Sequence, residues 1–445
     1  MEKLKHMDKN SKSILYYPIK LIEIYLSFTV ILYILGPWKW PTHNSILFYA
    51  FIFLAQFFLW LGYSKSMGKD VDIHISYKTE TKVLKILKYG IIINLIFIIL
   101  NTIRSTGMSF FSLSILIEKA TNGILNPAQQ YHEKFNSITF GGSVLTHTTV
   151  FLSPILWPVI PLSLFYFKKL SFLNKIMAVA SIIFEAIRWI ATGTNKGIFD
   201  LIIIFITILI IKKKQKNYIS ILNNKKTKKK KVFLLLIISG VLAITLFSNA
   251  IDSRVKGNWS NLIITNGGVQ IDFNSFFMRI CPNFLQSTLI YLTSYLTQGY
   301  YALSMAISLP FTPMFGIGNS MFLMENIGQL FNLDFYQFTY QIKLSDYGWN
   351  PLVNWHSFYV WVANDVHFIG VIVIMYVLGY YFASIYKDVI TNKNPISVAI
   401  ICLLILLFIY IPANNQVLSY PTTFMAFWIL TICWLFQKYN IRFKK

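Results

Sequence analysis

The stretch Tyr347–Gly370 carries the densest collection of reactive side chains in the chain: Asn354, Trp355, His356, Ser357, Tyr359, Trp361, Asn364, Asp365 and His367. An imidazole such as His356 can exchange protons near neutral pH, so it is the first candidate for a general base. Asp365 lies nine residues further on and is the second. Trp355 and Tyr359, with Asn354, have the shapes and polar tips of a sugar-stacking wall; taken singly, each aromatic also suits a membrane-interface belt. His367 reads as a packed bundle residue rather than a second base.

A second collection is cationic. The chain holds thirty-five lysines but only five arginines, and place sorts them. Lysines cluster in short basic segments between apolar runs. Arg104, Arg188, Arg254 and Arg279 fall at the opposite ends of those runs or beyond them, and only Arg442 shares a lysine segment. Lysine clusters follow from membrane orientation. Arginine placed against that bias suits an anion that matches its planar fork of donors, such as a diphosphate. Arg188, Lys196, Arg254, Lys256 and Arg279 are the candidates. Glu185 stands three residues before Arg188, at ion-pair spacing on a helix, and Lys196 lies between Gly193 and Gly197 where a new helix begins, a place that favours phosphate. Asp70 and Asp72 look like a metal-binding acidic pair, but they sit among lysines in a segment placed inside the cell, so no metal is expected.

These residues have to be held by elements suited to lipid. Of 445 residues, 55% are hydrophobic and 13% charged, with a mean hydropathy of +0.55; soluble domains carry about 25% charged residues. The net charge of +23 lies between apolar spans, which excludes a nucleic-acid-binding face. Three cysteines are too few for a disulfide framework. The expected fold is an all-α polytopic membrane protein with ten spans near 19–36, 45–63, 86–103, 147–167, 176–193, 197–211, 232–250, 358–386, 396–412 and 420–437. Each approaches the about 20 apolar residues that a bilayer requires. Segments 1–20, 64–88, 168–175, 212–231, 387–393 and 438–445 hold 30 of the 40 basic residues, which puts both termini in the cytoplasm.

The outer loops are 104–146 and 251–357. The second contains Phe284–Leu309, with Tyr291, Tyr295, Tyr300 and Tyr301, a composition suited to the membrane interface or to a further hairpin that raises the count to twelve spans. The chain thus divides into a seven-span bundle (1–250, with the basic loop 212–231), the large outer loop (251–357) and a three-span bundle (358–445).

His356-Ser357-Phe358-Tyr359, followed by Asp365 and Gly370, resembles the bacterial O-antigen polymerase and ligase superfamily. The Thr192-Gly-Thr-Asn-Lys-Gly197 turn is similar to a small-residue turn of that superfamily, with lysine where many members have arginine. The resemblance implies a glycosyltransferase-C-like helical fold in the bacterial inner membrane. It implies polymerisation of undecaprenyl-diphosphate-linked oligosaccharide repeats at the outer face, without a cofactor. Membrane lipids, a flippase and a chain-length regulator are the implied company. The alternatives are a ligase that transfers polymer to a lipid A core and a lipid-linked-oligosaccharide flippase, which would need pseudo-repeats that the chain lacks.

Overall fold

The computed structural model describes residues 9–68, 77–137, 144–222, 232–255 and 259–442. Their regular structure is helical; an isolated bridge between Trp38 and Ile271 is the exception. The main helices are α1 (Tyr17–Leu35), α2 (Ser45–Met67), α3 (Tyr77–Thr106), α4 (Val144–Leu156), α5 (Val159–Tyr166), α6 (Phe172–Ala191), α7 (Lys196–Leu222), α8 (Val232–Val255), α9 (Asn283–Ala306), α10 (Met321–Phe331), α11 (Phe358–Asn392), α12 (Pro395–Tyr410) and α13 (Pro421–Arg442). Five stretches among the described residues are long and apolar enough to cross a membrane: α1, α2, Thr81–Thr106, Val144–Lys169 and α11. Every expected span coincides with a helix, but α6 and α7 carry charged side chains and α12 has only 16 residues.

Two spans depart from straight rods. The fourth is two helices, α4 and α5, separated at Trp157-Pro158, because proline cannot donate to the preceding turn and restricts the residue before it. The eighth, α11, is broken at His367, whose backbone (φ 58, ψ 166) lies in a region that side chains rarely enter. His367 therefore stands at a helix break, and its ring packs against Phe311 at 5.3 Å, as expected of a packed bundle residue.

The chain forms two compact units, each assembled from separated segments: Met1–Val71, Asn258–Lys387 and Leu404–Pro421 in one, Asp72–Gly257, Asp388–Leu403 and Thr422–Lys445 in the other. In the first, α2 and α11 approach backbone to backbone. A Cβ on Gly62 would collide with the Tyr376 carbonyl, and one on Gly379 with the Leu59 carbonyl. Small residues allow helices in lipid to gain van der Waals contact in this way. The same contact is continued by Ser66 Oγ and Ser384 Oγ, 2.8 Å apart, and by Lys387 Nζ, which donates to the Ser66 and Met67 carbonyls at the end of α2. The Tyr-rich α9 lies against α1, with Tyr300 Oη 2.9 Å from Thr29 Oγ1. Tyr291, Tyr300 and Tyr301 are buried in protein, which corrects the interfacial placement expected for them.

In the second unit, α6 packs against α3 and the helix Leu113–Leu125, where Gly123 lies against the Ile190 carbonyl. Lys212 donates to the Leu164 and Phe165 carbonyls near the end of α5, so one of the orientation lysines is also a helix cap. Gly62→Ala and Gly379→Ala are each expected to lower thermal stability in detergent by about 1–3 kcal/mol through overpacking. Gly240→Ala, where a Cβ meets open space, should be neutral or mildly stabilising.

Candidate functional site

The residues from Asn354 to Asp365 all belong to the first unit, and its loops give them distinct tasks. His356 precedes α11, is 2% exposed, and its Nε2 has no hydrogen-bond partner. Burial pushes its pKa down to about 3; a hydrogen bond with the Asn354 backbone opposes the shift. Nε2 is therefore a buried ring nitrogen without a partner. Ser357 Oγ and Tyr359 Oη are also buried without a partner, as is Glu23 Oε1 on α1. Tyr359 lies within electrostatic reach of Glu23 and Tyr300, and its ring meets Phe51 edge-on at 5.4 Å. Buried polar atoms without partners are uncommon in native proteins, and these four belong to the first unit.

Asp365 has a different occupation. Its Oδ1 accepts from the backbone N–H groups of Gly316 and Gly318, both at 2.8 Å. Its Oδ2 accepts from Asn319 N (2.9 Å) and Asn319 Nδ2 (2.7 Å). Asn364 completes the arrangement, donating from Nδ2 to Gly318 O and Gln341 Oε1 and accepting at Oδ1 from Tyr340 N. Both oxygens are engaged by the loop 316–319, so Asp365, expected as the second base, is placed as a loop anchor. Gly370 of the same motif serves the break: a Cβ there would lie 2.6 Å from the Val366 side chain.

The expected sugar wall is also revised. Tyr359 is fully buried, and Asn354 donates from Nδ2 to Thr265 O at 2.6 Å. Trp355 meets Tyr295 edge-on at 4.6 Å, while its backbone N–H donates to Gln298 Oε1. Of the three, Trp355 alone is half-exposed.

The expected diphosphate cations divide between the units. In the second, Arg188 grips Glu185 with two nitrogens, including Nε to Oε2 at 3.1 Å, and its guanidinium lies 4.6 Å from the Trp189 ring. Trp189 Nε1 donates to Glu185 at 2.8 Å, and Lys196 Nζ donates to Asp200 at 2.7 Å. Both cations are paired with carboxylates, the internal ion pair that the spacing of Glu185 and Arg188 allowed being formed. The helix of Arg254 is described but its side chain is not, and Lys256, Asp70 and Asp72 lie outside the described residues. Arg279, in the first unit, is exposed on the short helix Phe276–Ile280.

Glu23 is the residue that sequence reasoning passed over. Its signal was an acid within an apolar run, where ionisable groups are costly and generally functional. No protein-family model, curated protein or solved structure matches this chain.

Asp365→Asn replaces an acceptor with a donor facing N–H groups and is expected to destabilise the protein by roughly 2–4 kcal/mol in thermal or denaturant unfolding. A catalytic base without structural duty would leave stability unchanged. His356 supplies a pH test. Its folded pKa is depressed, so its contribution to stability is fully present above about pH 6.5 and is lost as pH falls towards 3. The expected loss across that window is on the order of 5 kcal/mol. Unfolding of His356→Gln followed across the same range should be correspondingly less acid-sensitive; an identical pH profile would refute the buried neutral imidazole.

Proposed function

We propose that this protein is an integral-membrane glycosyltransferase that polymerises undecaprenyl-diphosphate-linked oligosaccharide repeats at the outer face of the bacterial inner membrane. Ten membrane-spanning helices in a glycosyltransferase-C-like arrangement, with both termini cytoplasmic, belong to this reading. The observation that carries it is His356 Nε2: a buried ring nitrogen without a partner, at the head of the motif that resembles the polymerase superfamily.

The chemistry asked of it is modest. An acceptor sugar hydroxyl attacks the anomeric carbon of the donor glycan. A new C–O bond forms as the bond to the diphosphate breaks, and the leaving group departs with the electron pair. The hydroxyl proton passes to Nε2. In a neutral apolar setting His356 is a weak base, but a diphosphate brought beside it adds negative charge, which favours the imidazolium and raises its basicity. The activated donor supplies the driving force, and the chain shows no Gly-rich phosphate loop for a nucleoside triphosphate. Arg254 and Lys256 keep the role of offsetting charge on the leaving group in this reading. A flippase and a chain-length regulator are the proposed partners.

In a strain that depends on this protein, His356→Ala is expected to collapse the product from polymer to single repeats, a loss of about 10²–10⁴-fold in transfer. Equal membrane abundance and an unchanged detergent elution profile would exclude misfolding. Polymer of normal length from that variant would refute the reading. Accumulation of intact polymer on its lipid carrier would favour the ligase instead.

A further inference from the structure

Arg279 is the only lysine or arginine between Lys256 and Lys343. It is exposed, and no acidic side chain occurs in 273–285. The nearest acid in sequence, Asp272, pairs with Lys39 at 3.9 Å. Arg279 keeps unusual company for a solvated cation: Phe273, Phe276, Ile280 and Phe284 are 52%, 54%, 62% and 81% exposed. An uncovered group of large apolar side chains around a single cation is not what water favours.

The segment is nevertheless firmly placed. Met278 is buried, the Phe277 ring meets Phe28 of α1 edge-on at 6.1 Å, and Asp272 N donates to the Pro37 carbonyl. Lys39 N donates to Gln270 O at 3.0 Å, and Trp38 pairs with Ile271. Residues 37–39 follow the end of α1, a helix long and apolar enough to cross a membrane, so the segment is tied to that end of the helix. Phe28, Ile31, Ile34 and Leu35 on the same half of α1 are exposed as well.

We infer that residues 273–285 form an interfacial lip. Its apolar side chains enter the bilayer at the end of α1, and Arg279 holds the phosphate of a phospholipid headgroup. The aromatic and aliphatic groups occupy the acyl boundary, as the apolar face of an interfacial helix does. The guanidinium reaches the phosphate with paired donors while its stem covers apolar surface. This assignment stands independently of the polymerase reading and gives Arg279 a lipid partner in place of the substrate diphosphate.

The test uses the full-length protein in nanodiscs of phosphatidylglycerol and phosphatidylethanolamine. In a variant with Cys281, Cys402 and Cys433 replaced by serine, Phe284→Cys carries an environment-sensitive fluorophore. Blue-shifted emission that is quenched by brominated acyl chains is expected. Emission typical of water, without quenching, overturns the lip. In a second arm, native mass spectrometry of the detergent-solubilised protein follows retained phosphatidylglycerol. Arg279→Ala is expected to weaken retention about tenfold, or about 1.4 kcal/mol; Arg279→Lys should restore part of it, and inorganic phosphate should not compete. Unchanged retention in Arg279→Ala, or displacement of the phospholipid by polyprenyl diphosphate at equal concentration, overturns the headgroup assignment.

Discussion

The first unit depends on the pairing of one carboxylate with the loop in front of it. Asp365 gathers four N–H donors from Gly316, Gly318 and Asn319, and Asn364 beside it binds Gly318, Tyr340 and Gln341. The hydrogen bonds continue outward. Asn319 O accepts from Asn415 Nδ2, Ser320 Oγ donates to Leu418 O, and Trp361 Nε1 donates to Asn414 Oδ1. Segments far apart in the chain are therefore tied to two adjacent side chains. Hydrogen bonds to a charged group are roughly twice as strong as neutral ones, and leaving such donors unpaired costs more than forming them gains. This requirement explains why an acid stands at position 365. By contrast, His356 Nε2 has no partner while Asp365 is saturated.

The unequal placement of arginine and lysine has a related explanation. A guanidinium suits planar partners that lysine cannot grip with two donors. At Arg188 the planar partner is the Glu185 carboxylate, with Trp189 stacked on the cation and donating to the same acid. The preference for a fork was thus sound, while the identity of the anion was not readable from spacing. Glu185 and Arg188 are compatible with a ligand site and with an internal ion pair until the side chains are placed. Lys196 and Asp200, four apart on α7, are a second case.

Legibility followed the range of the interaction concerned. Apolar runs depend on local composition, and a helix occurs at each of the ten positions they marked. The division of the fourth span was readable in principle, since Pro158 announces it. The break at His367 was not, because no proline or glycine stands at that position; it becomes intelligible only with the loop that Asp365 holds. The burial of Tyr291 and Tyr300 was equally hidden, because a Tyr-rich helix can face lipid headgroups or another helix with the same composition. Of the candidate site, His356 was identifiable as a type and a position, whereas its loss of basicity depends on packing from distant segments.

The broken helix α11 divides labour along its length. Phe358–Val366 is held to the polar loops through Asn364 and Asp365, while the part beyond His367 packs on α2 through Gly379 and is fastened near its C-terminal end by Lys387. A continuous helix would have to satisfy both sets of neighbours with one axis; the discontinuity at His367 lets the hydrogen-bonded head and the packed shaft of the same helix answer to different partners.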